Sequence, residues 1–210
     1  MTRHVLPLFA TPIHLSFIDI DEAIKNEIYN TPYDNRKVSY EPKVSSNKNL
    51  LNDGVFLKLK ESILKEFEYY KNEVLQIKKE TTFKMTHSWS VLSEPNNRSD
   101  LHHHSNAFFS GVVYIKIPKN SGNICFYNTN ENLFPSTFSA LIEKENYNTY
   151  NSQHWSIEPE ENMLLLFPAI LGHDVKENLS RENRFSLSFD FFPNCVLGQE
   201  QHRLDFTNIN

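Results

Sequence analysis

Arg184-Phe185-Ser186-Leu187-Ser188-Phe189-Asp190-Phe191 alternates apolar and polar residues without a break. In an extended chain, successive side chains point to opposite faces. Phe185, Leu187, Phe189 and Phe191 therefore share one side, and Arg184, Ser186, Ser188 and Asp190 share the other. An ordinary solvent face would carry several Lys or Glu, whereas this one carries small hydroxyls and a single Arg. The segment reads either as a strand whose polar face lines a cavity while its Phe/Leu face packs under a helix, or as a plain amphipathic edge strand.

Working outward, five more segments read as short strands: Thr82–Leu92, Ala107–Ile117, Gly122–Tyr127, Gln153–Ile157 and Met163–Phe167, with Pro, Asn and Gly clusters between them. The best helix lies upstream, from about Asp53 to Ile77. Phe56, Leu59, Ile63, Phe67, Tyr70 and Val74 recur at steps of three and four and so share a face, and Asn52-Asp53-Gly54 offers a start. Such a helix needs a surface to cover, and the outside of the sheet is the expected one. Val5 to Phe17 reads as extended, and Asp34 to Asn52 as polar and irregular. The pattern predicts a mainly β fold with flanking helices, a sandwich or jelly roll. There is no internal repeat and no linker, so residues 1–210 read as one domain. The long Asn-rich segment 128–152, with Phe134, Phe138, Leu141 and Ile142, reads as an insertion of the kind that often forms a lid or substrate loop.

Composition narrows the function classes. The 39% hydrophobic and 22% charged residues suit a soluble globular domain. Abundant Phe (16) with scarce Gly (5) favours bulky sheets over a Gly-rich phosphate-binding architecture. The net charge of −5, with no basic block, gives no support to a nucleic-acid partner. No apolar run reaches membrane-spanning length, and the N-terminus lacks the continuous apolar stretch of a signal peptide. The two cysteines, Cys125 and Cys195, form neither a metal-binding pair nor a disulfide framework, which fits a reducing cytoplasmic setting. The oligomeric state is not legible.

Chemistry enters at Leu101-His102-His103-His104-Ser105, just before the Phe108–Ile115 strand. Residues two apart in an extended segment share a side, so His102 and His104 can converge on one ion while His103 points away; taken alone, the run reads equally well as surface histidines in a loop. Imidazole suits Fe, Zn, Cu and Ni, so the pair does not choose a metal. Downstream, Leu164-Leu165-Leu166-Phe167-Pro168 ends an apolar strand, and a turn with Gly172 leads to a lone His173. Taken alone, His173 reads as a hydrogen-bonded core residue.

Taken in order, His102-x-His104, His173 and Arg184-x-Ser186 resemble the 2-oxoglutarate/Fe(II)-dependent oxygenase superfamily. The chain resembles more closely a group of bacterial and phage oxygenases with an LFxTPI phrase (here Leu8 to Ile13), an HxHPxxxxSGVYY phrase (here His102 to Tyr114) and an LFPxxxxHxV…RxSxSF phrase (here Leu166 to Phe189). Ser105 stands where Pro is usual, and Val113 where Tyr is usual. The resemblance implies a double-stranded β-helix, cupin-like core. It also implies Fe(II) held by His102, His104 and His173, and 2-oxoglutarate held by Arg184, Ser186 and Tyr114. In the wider superfamily a carboxylate stands at the place of His104, so Asp100 or Asp174 is an alternative ligand. Asp174 adjoins His173 and should point elsewhere in an extended strand, which favours the three-His set.

The activity implied is hydroxylation of a C–H bond in an unidentified prime substrate, a small molecule or a protein side chain, with release of succinate and carbon dioxide. Trp89 and Trp155 could each stack on a substrate or sit in the core, and Phe126 reads as core. Two other functions suit parts of the pattern: a cupin-like metalloprotein of another class (an isomerase or a cosubstrate-independent dioxygenase), and a non-catalytic jelly-roll binding module.

Overall fold

The computed structural model describes residues 2–6, 10–128 and 145–207. Its strands are β1 (His14–Phe17), β2 (Tyr33–Asp34), β3 (Lys43–Ser45), β4 (Phe83–Ser93), β5 (Ser99–His102), β6 (Phe109–Lys116) and β7 (Ile124–Tyr127). They continue with β8 (His154–Ile157), β9 (Met163–Pro168), β10 (His173–Val175), β11 (Arg184–Pro193), β12 (Val196–Leu197) and β13 (Leu204–Asp205). The helices are α1 (Glu22–Asn30) and α2 (Leu57–Tyr69). All six segments read as short strands are strands, with ends displaced by one or two residues, and within the Val5–Phe17 stretch the strand is His14–Phe17.

Seven strands form a major sheet in the order β1-β9-β6-β11-β4-β3-β2, and four form a minor sheet in the order β5-β10-β7-β8. All strand pairs in both sheets are antiparallel. The strict alternation of β6, β9 and β11 produces two cores. Phe185, Leu187, Phe189 and Phe191 join Phe109, Val113, Leu164 and Leu166 on the outer face of the major sheet, where the helices cover them. Val112, Tyr114, Leu165 and Phe167 point the other way and meet Ile124, Phe126 and Leu171 between the sheets. This is the double-stranded β-helix (jelly-roll) core with flanking helices that the alternation and the resemblance implied.

α2 packs on the outside of the major sheet as expected, with Leu59, Ile63 and Phe67 buried. The Phe67 ring stacks on Phe191 at 3.9 Å between centroids, with Phe83 and Phe109 edge-on. The element is shorter than the 53–77 span read from periodicity. Gly54–Phe56 is a 3-10 turn ahead of the helix, and Tyr70–Val74 winds as a π-helix after it. That wider turn advances the chain by a smaller angle per residue than an α-helix. Val74 therefore leaves the buried face and is 43% exposed, against the expectation that it packs on the sheet. α1 has no counterpart in the periodicity reading; its Ile24 and Ile28, one turn apart, are buried in the outer core.

Leu8, Phe9 and residues 129–144, which include Phe134, Phe138, Leu141 and Ile142 of the insertion, lie outside the described residues. Both cysteines are free and buried. Among the described residues, no helix is long and apolar enough to cross a membrane.

Candidate active site

His102 ends β5 and His173 begins β10, and the two are directly paired across the minor sheet. His104 follows two residues beyond β5, where its backbone N–H donates to the carbonyl of Ala169 at 2.9 Å. The ring centroids lie 4.4 Å apart for His102 and His173, 5.5 Å for His102 and His104, and 5.3 Å for His104 and His173. One ring nitrogen from each falls within 4.8 Å of the others. His103 is exposed and turns toward Ser105, as the two-residue period requires.

Hydrogen bonds assign the ring nitrogens. Nδ1 of His102 lies 2.7 Å from the carbonyl of Asp100, and Nδ1 of His173 lies 2.9 Å from the carbonyl of Leu171. A carbonyl only accepts, so each Nδ1 carries the proton and each Nε2 keeps its lone pair. Burial lowers the pKa of His173 to about 3, and the neighbouring His102 adds to the effect. Burial lowers His102 as well, although part of that residue is exposed at the pocket rim. Neutral imidazoles with free Nε2 atoms are the form in which histidine binds a metal.

The alternative carboxylates are engaged by other partners, although Asp100 also lines the cavity beside the histidines. Asp100 accepts a hydrogen bond from Tyr40 Oη at 2.5 Å and faces Arg98 at 3.5 Å on an exposed surface. Asp174 is engaged by Tyr127 Oη at 2.6 Å and Lys176 Nζ at 2.7 Å. Neither joins the three rings.

Across a cavity of about 380 Å³, the inner face of the major sheet supplies the opposite wall. Arg184, Ser186, Ser188, Tyr114 and Trp89 line it together with all three histidines. Ser186 is the cross-strand partner of both Tyr114 and Val91. Arg184 is 3% exposed, and its Nη1 donates to the carbonyls of Ser121 and Gly122 at 3.0 and 3.1 Å. Its Nε has no partner, and no carboxylate among the described residues forms an ion pair with it. Glu182, its nearest acidic neighbour in sequence, is exposed and pairs with Lys116 at 2.8 Å. Burial disfavours the charged guanidinium, yet an Arg does not deprotonate in a protein, so the pocket holds a fixed positive charge that an anion can answer. Burial also pushes the Tyr114 phenol above its usual range, with the Arg184 charge opposing, so Tyr114 remains protonated.

Residues 87–190, just under half of the chain, match the family described as "Putative 2OG-Fe(II) oxygenase". Sequence and fold together support the 2OG-Fe(II) oxygenase superfamily. HygX from Streptomyces hygroscopicus, solved with nickel, 2-oxoglutarate and hygromycin B, superposes with a TM-score of 0.60 at 11% identity, over 87% of this chain and 83% of that one. A Pseudomonas putida prolyl-4-hydroxylase gives 0.58 at 13% identity, over 88% and 94%. A Trichoplax adhaerens prolyl hydroxylase, in complex with a hypoxia inducible factor oxygen degradation domain peptide fragment, gives 0.59 at 12%, over 86% and 83%. Identities this low carry the fold alone. No curated protein matches the sequence. The superfamily match supports an oxidoreductase of the dioxygenase class and implies Fe(II) and 2-oxoglutarate.

Sequence reasoning named some residues of this pocket and missed others. Trp89 lines it beside His104, with ring centroids 5.8 Å apart, whereas Trp155 is 45% exposed on the minor sheet. Phe126 is core and stands behind His173. Arg36, Glu41 and Pro42, from the irregular segment before β3, form part of the wall, and no periodicity announced them. Asp190 faces His104; its place on the polar side of β11 was the available signal.

Proposed function

We propose that the chain is an Fe(II)- and 2-oxoglutarate-dependent oxygenase in which His102, His104 and His173 bind the metal, and Arg184, Tyr114 and Ser186 bind the cosubstrate. The observation that carries the reading is the Arg184 guanidinium, buried without a carboxylate partner in the same cavity as three imidazoles whose ring nitrogens converge. The residues present fit both groups. The rings offer neutral nitrogen donors to a divalent cation, and the guanidinium offers Nε–H, together with its remaining donors, to a carboxylate. Bound there, the metal and 2-oxoglutarate supply activation of dioxygen for oxidising a C–H bond of the prime substrate, with release of succinate and carbon dioxide.

The protein's own part is positioning and exclusion. Arg184 fixes one end of the cosubstrate through a planar, permanently charged group. Tyr114 and Ser186 add hydroxyls beside it. Val91, Val112 and Phe167 keep the wall apolar, and Trp89 offers an aromatic face next to His104. The prime substrate is a small molecule or a protein side chain; related folds hold hygromycin B or a peptide. The phrases around His102 and His173 are read as those of the bacterial and phage group. The buried free cysteines suit a cytoplasmic setting.

Calorimetry with Mn(II), a substitute that does not turn over, and 2-oxoglutarate tests the reading. Mn(II) should bind alone, and 2-oxoglutarate should bind tightly only after Mn(II). Metal binding with no response to 2-oxoglutarate would favour a cupin-like metalloprotein of another class. Binding of neither would leave a non-catalytic module.

A further inference from the structure

The three rings are anchored in two different ways. His102 and His173 each donate from Nδ1 to the backbone carbonyl two residues earlier, so local geometry alone holds them. His104 has no such local acceptor. Its Nδ1 lies 2.7 Å from Oδ1 of Asp190, a residue 86 positions away on β11. Ser110 Oγ lies 2.6 Å from the same carboxylate oxygen and 2.9 Å from His104 Nδ1. Ser110 and Asp190 are cross-strand partners on β6 and β11, and Asp190 is 9% exposed. The register between β11 and β4 shifts at Asp190/Phe191, where Asp190 opposes His87 and Phe191 opposes Met85. The extra residue is Thr86 on β4, so β11 keeps its alternation and Asp190 stays on the same face as Ser186 and Ser188.

We propose that Asp190, held by Ser110, is a positioning residue for the candidate metal centre: it fixes His104 with Nε2 toward the ion and supplies, from behind that ring, the negative charge that the ligand set lacks. The inference rests on the three-His reading above. Three neutral imidazoles leave a divalent ion's charge uncompensated. A carboxylate hydrogen-bonded to the far nitrogen of one imidazole fixes the ring's tautomer and raises its basicity without occupying a coordination position. Of the three rings, His104 is the one whose Nδ1 meets a carboxylate and whose orientation depends on a distant strand.

The test uses the full chain, Co(II) as probe, and nitrogen-15 NMR of the histidines. The metal-free parent should show His104 as a single Nδ1-protonated tautomer and should bind Co(II) with a defined visible absorption band. Asp190→Asn keeps an oxygen acceptor and removes the charge. It should retain the tautomer, shift the band and weaken Co(II) binding about 10- to 100-fold. Asp190→Ala removes both, so His104 should become a tautomer mixture and the affinity should fall at least as far. Should the Asp190 variants fail to fold, Ser110→Ala removes one hydroxyl and must move band and affinity in the same direction. His104→Ala separates the two ideas. If it binds Co(II) as the parent does, or if the parent binds none, the three-His reading falls and this inference falls with it. If His104→Ala is impaired while the Asp190 or Ser110 variants match the parent in tautomer, band and affinity, Asp190 has no positioning role.

Discussion

Nη1 of Arg184 donates to the carbonyl of Ser121 at 3.0 Å, joining the first residue of β11 to a turn 63 positions earlier. With the adjoining bond to Gly122, this holds one arm of the guanidinium and leaves Nε without a partner. Arg184→Leu should therefore abolish tight 2-oxoglutarate binding while leaving Mn(II) affinity close to the parent's. Arg184→Lys should bind weakly, since a point charge on a flexible stem loses the planar, two-pronged geometry. Calorimetry with Mn(II) present throughout checks both. Binding of 2-oxoglutarate by Arg184→Leu at parental strength would remove the cosubstrate assignment.

The same turn makes Gly122 a second target. Its φ is +94°, and a Cβ there would lie 2.0 Å from the carbonyl oxygen of Lys176. Both the backbone conformation and the space exclude a side chain. Gly122→Ala should cost at least about 1–3 kcal/mol of stability, from the backbone conformation and the collision together. It should also loosen the carbonyl that orients Arg184, so the surviving folded protein should bind 2-oxoglutarate more weakly. Urea denaturation and the same calorimetry measure the two effects separately.

The alternation of β11 makes much of this site legible in the sequence, because a period of two is imposed wherever a strand separates a core from a cavity. Residue order alone places Arg184 and Ser186 on the face opposite Phe189; that one face lines a cavity and the other lies under the helix depends on β4 and β6 flanking the strand. The His102-x-His104 spacing is informative for the same reason. What is not legible depends on contacts between distant segments. Asp190 stands on the correct face, but nothing local says that its partner is a ring 86 positions away. Arg36 and Glu41 reach the pocket from an irregular stretch with no period to read. Val74 is misplaced by periodicity because a π-turn breaks the 3.6-residue repeat that its assignment assumes.

That π-turn separates two substitutions that periodicity alone would treat alike. Phe67 is 1% exposed and stacks on Phe191, whereas Val74 is 43% exposed. Phe67→Ala should destabilise by roughly 3–5 kcal/mol, the cost of a large buried ring with little room to collapse. Val74→Ala should stay within about 0.5 kcal/mol, as exposed positions do. Unfolding midpoints for the pair decide it, and equal losses would mean that Val74 is covered.

The depressed pKa of His173 makes the stability of the metal-free protein depend on pH. In the unfolded chain this imidazole takes up a proton near its ordinary value of 6.5, while in the native protein burial delays protonation to about 3. Between those values the unfolded state binds more protons, so stability falls as pH falls. Above about pH 6.5 the contribution is complete and flat, since both states are neutral there. From 6.5 down to about pH 5 this one group should remove on the order of 1–2 kcal/mol. His102, also lowered by burial, should add in the same direction. A divalent ion bound through the same nitrogens adds stability by mass action at neutral pH, and acid should erode that increment too, because protons compete for Nε2. Urea denaturation of the metal-free chain at several pH values, with His173→Asn as the comparison, isolates the effect. The parent should lose more stability on acidification than the variant does. Parallel curves for the two would show that His173 is not held neutral by its surroundings.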